Sequence, residues 1–184
     1  MTVLHGMAEI IRTLDPANSD DLDFSSVAAA DSTAESWIVE NVSDGGYGAI
    51  IPAARGDWVR VGALIGVKTE TGLRWAAGII RRVTRDEHQQ RRVGIQLLSK
   101  VAIPVRVGKS GGGAAALTES ALLLSTEPDR GGEIALVLRE GFYNSRDSLD
   151  MTVNNKPYLL MPARLAEAGE DYDWAMFKVM ARSG

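Results

Sequence analysis

The order of apolar and polar residues predicts short β-strands over most of the chain. Near residue 95, Val93, Ile95 and Leu97 alternate with Arg92, Gly94 and Gln96. This period of two is typical of a strand with one buried face. Similar runs, separated by turn residues, continue through 37–107, with strands expected at 58–68 and 101–107 among others, and they indicate antiparallel hairpins. Several short strands at this spacing predict a small, closed or nearly closed barrel.

The N-terminal 36 residues have a different pattern. Residues 2–5 are predicted to form a short strand, and 15–36 are acidic and small, which is typical of a mobile loop. Between them, a two-turn helix is indicated by apolar residues at positions i, i+3, i+4 and i+7, namely Met7, Ile10, Ile11 and Leu14. Because two turns are too short to persist alone, this helix must dock on a larger body.

A Gly- and Ala-rich stretch at 108–116 is the predicted linker to a second module. Residues 117–184 again contain short apolar runs with turn residues between them, so this module is expected to be β-rich. The predicted fold class is mainly β: a barrel at 37–107, a second small β-rich module at 117–184, and a short N-terminal helix.

Composition narrows the classes of function. The chain has 184 residues and no cysteine, which excludes disulfides, thiolate metal sites and cysteine nucleophiles and favours a reducing, cytoplasmic location. No apolar run approaches the roughly 18 residues that cross a membrane, and no basic, apolar leader opens the sequence. We therefore expect no membrane association.

Charge is unevenly distributed along the chain. Residues 1–54 hold one basic and nine acidic side chains, whereas 55–109 hold twelve basic and four acidic ones. A basic middle favours either a patch for phosphate or carboxylate ligands or complementarity with an acidic segment or partner. The net charge of −4 argues against DNA or RNA as a partner.

Motifs for catalysis or metal binding are weak. Gly108-Lys109-Ser110 lacks the earlier glycine of a phosphate-binding loop, because Ile103 occupies that position. The histidines His5 and His88 have no recognisable serine and carboxylate partners. The acidic residues near 171 favour a solvated turn over a cation site. We predict no catalytic residues, no metal site, no cofactor and no enzymatic activity.

The most informative motif is Asn41-x-Ser43-x-x-Gly46. It places an amide, a hydroxyl and backbone N–H groups around one tight bend, and such a cluster can bind the edge of a planar base or a phosphate oxygen. The alternative is a plain hairpin in which Asn41 and Ser43 bond the backbone of the turn itself.

Further motifs follow this turn in order: Val61-Gly62, Trp75-x-x-Gly78-x-Ile80-Arg81-Arg82 and Val93-Gly94-Ile95-Gln96-Leu97-Leu98. Together with the turn, they make residues 37–99 resemble a PilZ domain. The resemblance implies a six-stranded antiparallel barrel that acts as a receptor for the bacterial second messenger cyclic di-GMP. It also implies that Asn41, Ser43 and Gly46 are the ligand-binding residues.

The chain departs from the PilZ pattern at one feature. The family has an Arg-x-x-x-Arg pair before the barrel, but no arginine lies between Arg12 and Arg55. Arg81 and Arg85 have the same spacing, and strand alternation would put them on one face. They follow the turn and are predicted to lie on a barrel strand, so the family's arginine role is not assigned to them.

Two hypotheses for function follow. The first is a non-enzymatic bacterial regulatory or adaptor protein of the PilZ type that binds cyclic di-GMP. The second is a degenerate PilZ-like barrel that binds no nucleotide and acts as a protein–protein interaction module. In both, a protein partner is expected.

Overall fold

The computed structural model describes residues 1–15, 33–52, 56–111, 118–125 and 127–181. These residues are mainly β with one short helix, and the chain divides into two compact units, Met1–Lys100 and Val101–Gly184. The predicted fold class is therefore confirmed. Most of the predicted acidic loop (16–32) and of the predicted linker (112–116) lies outside the described residues.

The first unit is a curled antiparallel sheet with one helix. Its elements are β1 (Thr2–His5), α1 (Met7–Leu14), β2 (Glu35–Ser36), β3 (Ile38–Ser43), β4 (Gly46–Ile51), β5 (Leu64–Lys68), β6 (Ala76–Arg85) and β7 (Arg91–Ser99). The seven strands are hydrogen-bonded in the order β2-β1-β5-β6-β7-β4-β3.

One face of this sheet encloses an apolar core. The alternation predicted for β7 is confirmed, because Val93 and Ile95 are buried while Arg92 and Gln96 are exposed. At the edge of this core the buried indole of Trp37 stacks on Trp58, with ring centroids 5.6 Å apart. The core residues are Met1, Val3, Trp37, Ala49, Ile51, Val59, Ala63, Ile65, Val67, Ala76, Ile80, Val93 and Ile95.

The predicted N-terminal strand and helix are both present. Gly6, with φ of 77°, turns the chain from β1 into α1. Met7 and Ile10, two residues of the predicted stripe, are buried. A β-carbon on Gly66 would lie 3.0 Å from Ile10, so the missing side chain at Gly66 lets the helix lie close to β5. The helix therefore docks on the sheet, as its short length requires.

The second unit is a closed six-stranded antiparallel barrel. Its strands are β8 (Ile103–Lys109), β9 (Thr118–Leu123), β10 (Glu133–Arg139), β11 (Leu149–Val153), β12 (Lys156–Ala168) and β13 (Tyr172–Ala181), in the order β10-β13-β12-β11-β8-β9. Val107, Leu136, Leu160 and Phe177 are among the buried residues of its core. The predicted β-rich character of this half is confirmed.

The placement of the barrel differs from the prediction. The closed six-stranded barrel lies in the second unit, while residues 37–100 belong to the seven-stranded sheet, which also takes in β1 and β2. The sheet of the first unit includes the N-terminal strand because β1 (Thr2–His5) pairs with β5 and buries Val3 in the core of this unit.

The boundary between the units also differs from the prediction. Strand β8 pairs with β9 and β11, so the predicted strand 101–107 belongs to the second unit and the division falls after Lys100. The predicted linker 108–116 thus connects two paired strands of one unit. A Gly- and Ala-rich composition occurs in connections within a unit as well as in linkers between units, so composition does not distinguish them.

Candidate functional site

The turn between β3 and β4 brings the three predicted site residues together. Ser43 pairs with Gly46, and the Ser43 hydroxyl donates a 3.3 Å hydrogen bond to the Gly46 carbonyl oxygen. The Gly45 carbonyl oxygen accepts a 2.8 Å bond from the backbone N–H of Leu97, which fixes the turn to β7. The side chains of Asn41 and Ser43 are exposed, so the turn presents its amide and hydroxyl to solvent.

Gly46 serves a structural purpose in this turn. It is buried, and a β-carbon at this position would lie 1.8 Å from the carbonyl oxygen of Ile95. Any side chain would force β4 and β7 apart. Only glycine therefore allows the turn to pack against β7 at this distance.

Asn41 lies at a β-bulge. Val39 pairs with Ala49 and Asn41 with Gly48, so Glu40 is an extra residue in β3. A β-carbon on Gly48 would lie 2.5 Å from Asn41 Oδ1 and 2.7 Å from Asn41 Nδ2. The amide of Asn41 therefore lies over the backbone of Gly48, in space that any other residue at position 48 would fill.

The strand register extends this arrangement across the sheet. Asn41 pairs with Gly48, Gly48 with Gly94, and Gly94 with Arg82, so four neighbouring strands each contribute one residue to a line on one face. We call Asn41, Gly48, Gly94 and Arg82 the glycine row. A second line on the same face contains Ser43, Gly46 and Gln96.

The face that carries these lines is the outer face of the sheet. Residues next to the glycine row in sequence, such as Ala49, Val93 and Ile95, point to the opposite face and belong to the core. Asn41, Arg82 and Gln96 are exposed. The row has two glycines at its centre and polar side chains at both ends, with the Asn41 amide over Gly48 and the Arg82 side chain beside Gly94.

A second bulge lies at the other end of the row. Ile80 pairs with Ile95 and Arg82 with Gly94, which leaves Arg81 as an extra residue in β6. Arg81 Nε donates a 2.8 Å hydrogen bond to Gln96 Oε1, so its side chain lies beside the second line of the outer face. Both Arg81 and Arg82 are exposed.

The face prediction for Arg81 and Arg85 is therefore wrong. Regular alternation would put both on one face, but the bulge at Arg81 resets the alternation. Arg82 then shares the outer face with Gly94, and Arg85 pairs with Arg91 on the core side of the sheet end, where both line a cavity of about 410 Å³.

A third arginine of the outer face has carboxylate partners. Arg92 Nη1 lies 3.1 Å from Glu40 Oε1, and Arg92 Nε lies 3.3 Å from Asp86 Oδ2. Burial by its neighbours raises the pKa of Asp86, but hydrogen bonds from the backbone N–H groups of Gln90 and His88 and the charge of Arg92 outweigh it and lower the pKa below its ordinary value. The Glu40 charge is thereby balanced by Arg92. Among the arginines of this face, Arg82 pairs with Gly94 and its side chain lies beside that glycine.

A cavity borders the β3–β4 hairpin on the side of its apolar residues. Val42 and Tyr47, which pair with each other, contribute to a space of about 820 Å³ that Met1, Trp37 and Thr69 also line. Neither Asn41 nor Ser43 lines it. The side chains of Asn41 and Ser43 therefore lie outside this cavity, on the outer face of the sheet.

The weaker motifs show no catalytic arrangement in the part of the chain that is described. The His5 ring stacks on Trp58 at 4.4 Å, and Lys109 Nζ lies 2.8 Å from Asp147 Oδ2. Asp173 is buried, and its Oδ2 accepts a 3.1 Å bond from the Tyr143 N–H. Among the described residues, no three His, Asp or Glu side chains are grouped so that they could hold a metal ion.

Comparison with protein families identifies the first unit. Residues 13–104, half of the chain, match the family described as the middle PilZ domain of the cyclic di-GMP receptor FimW. The chain belongs to this PilZ family. The predicted PilZ resemblance is confirmed, and the matched residues include the whole turn and the whole glycine row.

The PilZ match ends at residue 104, so strands β9 to β13 of the second barrel lie outside it. No curated protein and no solved structure matches the chain. No helix among the described residues is long and apolar enough to cross a membrane.

The sequence predicted the residues of the β3–β4 turn, but not the other residues of the outer face that lie next to it. Gly48, Gly94, Arg82 and Gln96 were not predicted as site residues. The signal available was the presence of glycines inside two strands, Gly46 and Gly48 in β4 and Gly94 in β7, since glycine within a strand often marks a close approach of a ligand or another backbone.

Proposed function

We propose that the chain is a non-enzymatic regulatory PilZ protein that binds cyclic di-GMP on the outer face of its first unit. The observation that carries this proposal is the exposure of Asn41 and Ser43 side by side at a turn that matches the PilZ motif residue by residue. Membership of a family described as a cyclic di-GMP receptor supports the same ligand.

The chemistry of the face suits a guanine nucleotide. The Asn41 amide offers a donor and an acceptor, which match the edge of a guanine base, and the Ser43 hydroxyl retains lone pairs that accept a further hydrogen bond. Gly48 and Gly94 are half-buried and have no side chains of their own, and the groups that lie over them are the Asn41 amide and the Arg82 side chain. An open face also suits a receptor, because the ligand is bound and released without chemical change.

Titration calorimetry with cyclic di-GMP tests the proposal. We expect saturable binding by the full chain and about tenfold weaker binding by Asn41→Ala, since each lost hydrogen bond contributes about 0.5–1.5 kcal/mol. Gln90→Ala, which removes an exposed amide from the β6–β7 turn, is the matched control and should bind like the parent chain. Chromatography of the ligand after incubation should recover cyclic di-GMP intact.

Absence of binding heat at high ligand concentration, confirmed by an unchanged melting temperature, would overturn the proposal. It would favour the alternative, a PilZ fold that binds no nucleotide and acts as a protein–protein interaction module. Because cyclic di-GMP is a bacterial second messenger, the proposed role also implies a bacterial signalling protein that works in the cytoplasm and passes the signal to a protein partner.

A further inference from the structure

Two β-bulges lie at opposite ends of the glycine row. The β3 bulge adds Glu40 next to Asn41, and the β6 bulge adds Arg81 next to Arg82. A bulge reorients the side chains of its strand. Here the two bulges place polar side chains at the two edges of a strip whose middle positions, Gly48 and Gly94, have none.

The arginine end of the row carries two positive charges close together. Arg81 is held toward the outer face by the bond from its Nε to Gln96 Oε1, and the Arg82 side chain runs past Gly94, whose β-carbon would lie 3.4 Å from Arg82 Cβ and 3.7 Å from Arg82 Nε. Arg82 beside Gly94 and Arg81 beside Gln96 therefore bring two guanidinium groups to this end of the glycine row.

The ends of the row are too far apart for one small anion. Asn41 and Arg82 lie on strands separated by two others, so their backbones are about 14 Å apart at the usual spacing of about 4.8 Å. A ligand that uses both ends must carry a base edge and a phosphate some distance apart. A cyclic dinucleotide has both, with two negative phosphates for the guanidinium groups.

We propose that Arg81 and Arg82 bind the phosphates of cyclic di-GMP and thereby supply positive charge of the kind that the Arg-x-x-x-Arg pair supplies in the PilZ pattern, a pair that does not occur between Arg12 and Arg55. This inference rests on the proposed function, because it assigns residues to the same ligand. The bulge is the essential element. Without it, Arg81 alone would face outward opposite Gly94, and Arg82 would point to the core side of the sheet.

Calorimetric titrations with cyclic di-GMP at several salt concentrations test the assignment. Charge-assisted hydrogen bonds are among the stronger ones, so Arg82→Ala and Arg81→Ala should each weaken binding about 10- to 100-fold. Each variant should also reduce the salt dependence of the affinity, because one cation fewer faces the phosphates. Arg82→Lys, which keeps the charge and loses the paired donors, should lie between the parent and Arg82→Ala.

Arg74→Ala is the matched control, because Arg74 is an exposed arginine of the same unit that lies outside the outer-face lines. It should leave both the affinity and its salt dependence unchanged. Gln96→Ala should weaken binding less than Arg81→Ala, since it removes only the group that positions Arg81. Circular dichroism and thermal unfolding of each free variant check that the fold is intact.

The two proposals fail differently. If the parent chain binds and Asn41→Ala weakens binding while the Arg81 and Arg82 variants match Arg74→Ala, the arginine assignment is overturned and the proposed function stands. If the parent chain binds no cyclic di-GMP, both are overturned. If all three arginine variants weaken binding equally, the effect is one of net charge, and the specific assignment is again overturned.

Discussion

The side-chain amide of Asn41 occupies the space above Gly48 where a β-carbon would stand, with Asn41 Oδ1 only 2.5 Å from that position. The two residues pair across β3 and β4, so the contact is built into the register of the hairpin. The orientation of the Asn41 amide therefore depends on the absence of a side chain at position 48. This dependence can be tested without changing Asn41 itself.

Gly48→Ala should displace the Asn41 amide while the fold is kept. The atoms that the new methyl group would meet belong to the end of an exposed side chain, which can rotate away. We expect cyclic di-GMP affinity to fall by about tenfold, as in Asn41→Ala, because a misplaced amide loses the same hydrogen bonds. The midpoint of thermal unfolding should change little.

A double variant distinguishes this effect from a direct contact of the ligand with Gly48. If Gly48→Ala acts through Asn41, the Asn41→Ala/Gly48→Ala protein should bind no more weakly than Asn41→Ala alone. Additive losses in calorimetry would show that the ligand needs the bare backbone at Gly48, and would contradict the positioning account.

Gly46→Ala should destabilise the fold. Its new methyl group would lie 1.8 Å from the Ile95 carbonyl oxygen, which is backbone and cannot rotate away. We expect a loss of about 3 kcal/mol in the free energy of unfolding, measured by urea denaturation. The neighbouring Gly45→Ala is the control, because a β-carbon at Gly45 has no atom within 4 Å. Equal stability of the two variants would contradict this account of the turn.

The sequence predicted the hairpins of the first unit because its strands have one buried and one exposed face. Val93 and Ile95 on the core side and Gln96 on the outer side were assigned correctly from alternation alone. The same rule failed at Arg81, since a bulge adds one residue and reverses the alternation after it. Nothing in the residue types marks that bulge, so the second arginine of the outer face could be found only from the strand register.

The division of the chain was predicted less well than its strands. The stretch 108–116 has the composition of a linker, but β8 before it and β9 after it pair with each other. The strand predicted for 58–68 is also shorter than expected. Gly62, with φ of 90°, turns the chain, and regular pairing begins at Leu64. Long-range pairing decides both points, and a single sequence does not show it.

The carboxylate of Asp86 should make part of the stability pH-dependent. Burial by its neighbours is the largest single influence and raises the Asp86 pKa, but bonds from the N–H groups of Gln90 and His88 and the charge of Arg92 together lower it below its ordinary value. Because the pKa is lower in the folded state, the ionised carboxylate stabilises the fold above the unfolded pKa, and this contribution is lost as pH falls through the folded pKa.

Asp86→Asn tests this contribution, because the amide retains an acceptor for the turn but has no charge for Arg92. We expect the parent chain to melt at a higher temperature than the variant at pH 7, with the gap closing below about pH 4. Glu87→Gln, which neutralises an exposed carboxylate of the same turn, is the control. A gap that stays constant from pH 7 to pH 2 would contradict the assignment.

In the second barrel, Asn154 and Asn155 form the tight turn between β11 and β12. Their φ angles are 51° and 60°, and the flanking residues Val153 and Lys156 pair with each other, so the loop has two residues. Positive φ at both positions matches the twist of the hairpin strands, and asparagine tolerates it better than most residues. Glycine adopts a positive φ without strain because it has no β-carbon. Alanine has the β-carbon and its strain, but no polar side chain that could offset the strain by a local hydrogen bond.

Asn155→Gly should therefore stabilise the hairpin by about 0.5 kcal/mol, and Asn155→Ala should destabilise it by about 1 kcal/mol. Amide hydrogen exchange in β11 and β12 measures the effect locally: exchange should slow in the glycine variant and quicken in the alanine variant. Ser145→Gly is the control, because Ser145 is exposed and does not have a positive φ. Glycine at position 145 only increases the conformational freedom of the unfolded chain, so it should not slow amide exchange in β11 and β12. Faster exchange in Asn155→Gly would show that the asparagine side chain, and not the backbone conformation, holds the turn.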